Sequence, residues 1–233
     1  MLQLICAGGW LPLVFVCLLS SACSSDAPML LNRSGLPERV ELADVPFFRL
    51  SDEVGGASAL AAQLNHHEVI VSPGLVSTRI EQLPKSAAGA NSPSALSAAA
   101  RSYDMLVYSL PANLEALLTQ VAAGQPVLLK LDEGFAGGDT EYANLVGFDQ
   151  RQQIMLLRAG NNRRMHLPFK DFDKAWAEAG RWAVLVLPAN TLPAQPDQAL
   201  WLQGARDLQA QGRTDAAQRA LRTAHKVWPD AQL

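Results

Sequence analysis

Helical and strand-like periodicities are segregated along this chain, and their order leaves few architectures open. Gly56 to Asn65 is rich in Ala and Leu at helical spacing. Pro93 to Ser102 and Ala112 to Ala123 read as two further helices, with Ser92 placed to cap the first of them. A short strand is expected at Val40 to Val45. The clearest strands are Met105 to Leu110, Pro126 to Leu131, Tyr142 to Asp149, Ile154 to Arg158, Arg164 to Leu167 and Trp182 to Leu187. Residues 134–140 (GFAGGDT) form a loop that brings Glu141 to the start of the longest strand. Helices mainly first and strands mainly later predict an α+β domain, with helices packed on an antiparallel sheet. With 49% hydrophobic residues in 233, there is core enough for one ordinary domain and a small appendage.

Residues 188–197 (PANTLPAQPD) are a Pro-rich linker, and the chain is purely helical beyond them. Counting back from Pro229, the residues Trp201, Gly204, Leu208, Gly212, Ala217, Leu221 and Ala224 fall where a 34-residue tetratricopeptide repeat places bulky, small or turn residues. The expectation is an all-α tetratricopeptide-like helical hairpin over 198–231. A single repeat cannot bury its own apolar face. The hairpin must therefore dock on its own domain, on another copy or on a partner, and in the last case Trp201 and Trp228 are candidate contacts.

All three cysteines, Cys6, Cys17 and Cys23, lie in the first tenth of the chain. The apolar stretch Trp10 to Leu19 is too short to span a bilayer and is followed by small residues, so residues 1–22 read as a secretion signal. Leu19-Ser20-Ser21-Ala22-Cys23 is similar to a bacterial lipobox, which makes Cys23 the lipidated first residue of the mature protein. Residues 23–38 then serve as anchor and tether. Ser24 after the cysteine resembles the outer-membrane sorting choice, so the expected place is the periplasm, on the inner leaflet of the outer membrane. Ser20 and the lack of Lys or Arg before Arg33 depart from the lipobox pattern. The alternatives are simple cleavage with release, or a start codon placed too late. Either leaves Cys23 as a lone thiol.

The formal charge of −3 lacks the basic excess that nucleic-acid binding needs. Other candidate chemistry is sparse. Ser58 with His66 as base is a conceivable nucleophile pair, but eight helical residues separate them by roughly 12 Å. His66-His67-Glu68 reads as a solvated helix end, because adjacent side chains point apart and no third ligand is near in sequence. No metal or cofactor is expected. His166 reads as a surface residue, His225 belongs to the tail, and Asp132-Glu133, Asp171 and Asp173 read as loop and helix-start charges.

Several stretches carry a family likeness: Val40-Glu41-Leu42 with Val45-Pro46-Phe47-Phe48, Gly56 with Ala59-Leu60, and Gly124 with Pro126-Val127-Leu128. They continue with Tyr142-Ala143, Val146-Gly147-Phe148-Asp149, Leu157-Arg158, Arg163-Arg164 and Gly180-Arg181-Trp182-Ala183. Through them residues 40–193 resemble the papain-like peptidases that cut double-glycine leaders from bacteriocins, in the version found in bacterial lipoproteins with a tetratricopeptide tail. In that family a cysteine opens the first helix, where the helix dipole and a histidine make it a thiolate. The resemblance places Gly55 at the cysteine, Leu50 at the oxyanion glutamine, Glu141 at the histidine and Ala159 at the residue that orients it.

What the resemblance implies is a degenerate papain-like domain over 39–190 with no catalytic residue. The chain would then be a pseudopeptidase and not an enzyme, binding a peptide or protein partner near Gly56 and Tyr142. One alternative is an assembly lipoprotein that recruits partners through its helical tail. Another is a hydrolase with a relocated nucleophile.

Overall fold

The computed structural model describes residues 35–49, 55–84, 89–132, 134 and 141–233. The strands are β1 (Arg39–Glu41), β2 (Met105–Ser109), β3 (Val127–Lys130), β4 (Tyr142–Asp149), β5 (Ile154–Ala159), β6 (Asn162–Pro168) and β7 (Ala183–Pro188). The helices are α1 (Gly55–His66), α2 (Pro73–Gln82), α3 (Pro93–Ser102), α4 (Leu114–Ala122), α5 (Phe169–Glu178), α6 (Gln198–Ala210) and α7 (Thr214–His225). The strands join in one sheet of order β2-β7-β3-β4-β5-β6, and each paired edge is antiparallel.

β4 is the axis of the sheet. One of its edges is shared in succession by β3, opposite Tyr142 to Leu145, and by β1, opposite Gly147 to Asp149. A register shift between Leu145 and Gly147, where β4 faces β5, accompanies the change of partner. Gly147 is required there, because a Cβ would collide with the carbonyl oxygen of Val40. The expected strand Val40 to Val45 shortens accordingly. After Leu42 donates to Val146 the chain leaves the sheet.

Strand alternation sorts the side chains to two buried faces. Met105, Val107, Leu128, Tyr142, Val184 and Val186 point to the face covered by α1, α2 and α3. Leu106, Tyr108, Leu129, Leu145 and Leu185 point to the other, with α4, α5, α6 and α7. Helices thus cover both faces of the antiparallel sheet, in keeping with the expected mixed class.

Helix α2 is unforeseen by the sequence, and α5 is signalled there only by the helix-start charges Asp171 and Asp173. α2 begins with Ser72 accepting from the Leu75 amide and with Pro73 at its first position, a readable start signal. α5 buries Phe169, Phe172, Ala175 and Trp176 on one face. The Pro-rich linker is fastened rather than loose. Gln120 bonds Ala194 through both amide atoms, donating to its carbonyl at 2.8 Å and accepting from its N–H at 2.9 Å, and the Asp197 N–H donates to the Tyr108 hydroxyl at 3.0 Å.

α6 and α7 lie against the sheet. Trp201, Ala205, Leu208, Ala216, Ala217, Ala220 and Ala224 join the same core as Leu106. The approach is close at Gly204, where a Cβ would stand 3.0 Å from the Val107 carbonyl oxygen. Ion pairs Arg101–Asp207 at 2.6 Å and Arg213–Asp104 at 2.7 Å tie the tail to the edges of α3 and β2. Among the described residues no helix is long and apolar enough to cross a membrane.

Candidate functional site

α1 is buried nearly all round, with Ala57, Ala59, Leu60, Ala61, Ala62 and Leu64 inside. Its small side chains allow close packing. A Cβ on Gly56 would come within 2.7 Å of Leu96 Cδ1, which is itself fully buried in α3. The register of α1 on the sheet is set by an amide lock. Gln63 Nε2 donates to Asn144 Oδ1 at 2.7 Å, and Asn144 Nδ2 donates to the Ala59 carbonyl at 2.9 Å. Both side chains are buried, so breaking the lock strands polar groups at a cost of about 1–3 kcal/mol each.

Beside this lock lies a cavity of about 290 Å³, counting its open mouth. It sits where the first turns of α1 meet the segment after β1, the start of β4 and the end of β5. Phe47, Phe48, Ser58, Tyr142, Arg158 and Gly160 form much of its wall. Arg158 is 6% exposed, and its Nη2 donates to the carbonyls of Leu42 and Ala43, both at 3.1 Å. Its Nε and Nη1 are buried with no partner, as is Ser58 Oγ. Burial pulls the guanidinium pKa down, and the charge of Arg163 acts in the same direction against the opposing carboxylates of Glu41 and Asp44. Glu41 is committed elsewhere, accepting from Arg164 Nε and Nη2, both at 2.8 Å.

The Tyr142 hydroxyl donates to the Asn91 carbonyl at 2.9 Å, and its ring meets Trp182 edge-on at 5.9 Å. Burial, and then the Glu141 carboxylate, raise its pKa above the usual phenol value. Gly55 is the first residue of α1. Glu141 stands just before β4 with its Oε2 2.8 Å from Lys130 Nζ. Ala159 ends β5, opposite Ala143, and belongs to the core of the far face, so it is Arg158 that shares the α1 side of the sheet with Asn144. The fold therefore brings the start of α1, the start of β4 and the end of β5 to one place. Leu50 and Cys23 lie outside the described residues, as do the signal 1–22 and most of the tether.

The candidate partner contacts are largely interior. Gly56, Tyr142 and Trp201 are buried, Trp201 donating through Nε1 to the Ala220 carbonyl at 2.9 Å. Trp228 packs partly buried against the same core. His66 is 3.9 Å from Asp44, away from the cavity that holds Ser58. The helix end it occupies is not the solvated one expected, since His67 is half-buried with Nε2 enclosed. Among the described residues no group of three or more His, Cys, Asp or Glu side chains is placed to hold a metal. Sequence reasoning overlooked Arg158 and Gln63 as site residues. Their signal is a charged residue inside the apolar strand Ile154–Ala159, and an amide inside an Ala-rich helix.

No protein-family model matches the chain, and no curated protein matches it. Among solved structures it is similar to a putative C39-like peptidase from Bacillus anthracis. The two are 20% identical with a TM-score of 0.53, over 65% of this chain and 98% of that one. It is also similar to a double glycine motif protease from an AMS/PCAT transporter, in complex with the leader peptide. That match is 16% identical with a TM-score of 0.43, over 62% of this chain and 91% of that one. A third is the peptidase domain of Streptococcus ComA, a bi-functional ABC transporter in a quorum sensing pathway. It is 12% identical with a TM-score of 0.45, over 60% of this chain and 96% of that one. The likeness to the Bacillus anthracis protein corrects the expectation that the chain is to be classed as a non-enzyme, because the fold the two share is that of a putative C39-like peptidase. In architecture this chain shares the fold of that putative C39-like peptidase, with helices on both faces of an antiparallel sheet.

Proposed function

We propose that this is an exported lipoprotein whose peptidase fold holds a peptide segment in the cleft between α1 and the β4–β5 end of the sheet. The observation that carries the reading is the cavity beside Asn144, where Arg158 and Ser58 offer buried, unpaired hydrogen-bonding groups next to the rings of Phe47 and Phe48. Polar groups converging in an otherwise apolar wall are the ordinary composition of a ligand site. The apolar face of the tail is spent on the sheet around Leu106 and Trp201, which favours the cleft over the tail as the place of binding.

The test is hydrogen exchange of the protein with and without unstructured decapeptides of varied sequence. Protection should appear at α1 and at Tyr142 to Asn144. Protection confined to α6 and α7 would transfer the function to the tail.

Export and anchoring rest on the signal at 1–22 and on Cys23. A fatty-acid analogue fed to cells should label the wild type and not Cys23→Ser, and the wild type should fractionate with the outer membrane. Label retained in the variant would remove the anchor from the proposal.

A further inference from the structure

Two of the three guanidinium nitrogens of Arg158 are buried without a partner, an arrangement that protein interiors rarely tolerate. A cation so placed is stabilised by an anion. The described carboxylates whose charge reaches it, Glu41 and Asp44, do not bond those two nitrogens: Glu41 is held by Arg164, and Asp44 is largely exposed, 3.9 Å from His66. The unpaired Ser58 hydroxyl lies in the same wall, whereas the Tyr142 hydroxyl and both amide atoms of Asn144 are already bonded.

Size narrows the ligand further. Most of the roughly 290 Å³ is open mouth, and the enclosed part has room for little more than a water-sized group, which suits a carboxylate at the end of a chain better than a segment running through. We propose that this cavity binds the C-terminal carboxylate of a peptide, with N–H groups of Arg158 and the hydroxyl of Ser58 donating to it. The side chain of the terminal residue lies against Phe47 and Phe48. The inference rests on the peptide-binding reading of the same cleft. Internal Asp or Glu side chains carry the same chemistry and are separated from the terminus by experiment.

The full chain is titrated by fluorescence anisotropy with labelled decapeptides, each as the free acid and as the C-terminal amide. Acetylglycine and its amide are compared by thermal shift. The free acids should bind about tenfold or more tightly than the amides, as a charge-assisted hydrogen bond implies. Arg158→Met should erase that preference, so that acid and amide bind the variant alike within about twofold. Ser58→Ala should shrink it by a smaller factor, and with Arg158→Lys it carries the test if Arg158→Met does not fold.

Equal binding of acids and amides by the wild type would overturn the inference and leave the peptide-binding reading standing. Tight binding only of amidated peptides that contain Asp or Glu would also overturn it, assigning the site to side-chain carboxylates. If no decapeptide binds, the peptide reading falls. The carboxylate site then stands only if acetylglycine, and not its amide, stabilises the wild type and fails to stabilise Arg158→Met and Ser58→Ala.

Discussion

His67 follows the end of α1 with Nε2 enclosed and its ring 5.0 Å from that of His66. Burial first, and the charge of His66 second, push its pKa down to about 4 from an ordinary 6.5. The unfolded chain takes up this proton near 6.5, the folded chain only near 4, so protonation favours the unfolded state between those values. Stability is retained above the upper value and is lost as pH falls through the window. After discounting for the exposed part of the ring, the loss between pH 7 and pH 4.5 should be about 1–2 kcal/mol. Urea melts of the wild type and His67→Gln at those two pH values check this, and a pH dependence unchanged in the variant would refute it.

At the scale of elements, the contact between α6 and β2 decides how the tail behaves. Gly204 stands so close to β2 that an added Cβ would meet Leu106 Cδ2 at 2.9 Å and the Val107 carbonyl at 3.0 Å. A backbone carbonyl in a paired strand cannot swing aside, so Gly204→Ala should destabilise the protein by about 1–3 kcal/mol, read as a lower melting temperature. An unchanged melting temperature would mean that α6 does not press on the sheet. The spacing of small residues in the tail was legible because helical periodicity is local. The surface they pack against was not, because Leu106 and Val107 are distant in sequence. α2 was missed for a related reason: only Val76 and Ile80 are buried among its ten residues, so its apolar stripe is thin.

On the whole-molecule scale, the described residues belong to one compact unit that includes the tail. Trp201 and Leu208 share a core with Leu106, Leu117 and Leu185, and Thr223 Oγ1 donates to the Ala189 carbonyl at 3.0 Å across the linker. Ending the chain after residue 190 would uncover that side of β2 and leave the Gln120 amide without Ala194. The shortened protein should lose its cooperative melt or aggregate, while the full chain melts in a single transition by calorimetry. A shortened chain as stable as the full one would show that the tail is a separate domain.

Sequence alone determined the strand segments from β2 to β7 and the cap at Ser92, because these follow from local periodicity and backbone chemistry. It also determined that no thiol follows Cys23, which is a matter of composition. Only tertiary structure decided that Arg158 and Ser58 share one cavity, that Gln63 and Asn144 lock α1 to β4, and that Glu141 pairs with Lys130. Each of those joins residues that are far apart in sequence or turned by strand pleat to a particular face. Whether a charge or hydroxyl goes unpaired depends on burial, and burial belongs to the assembled fold.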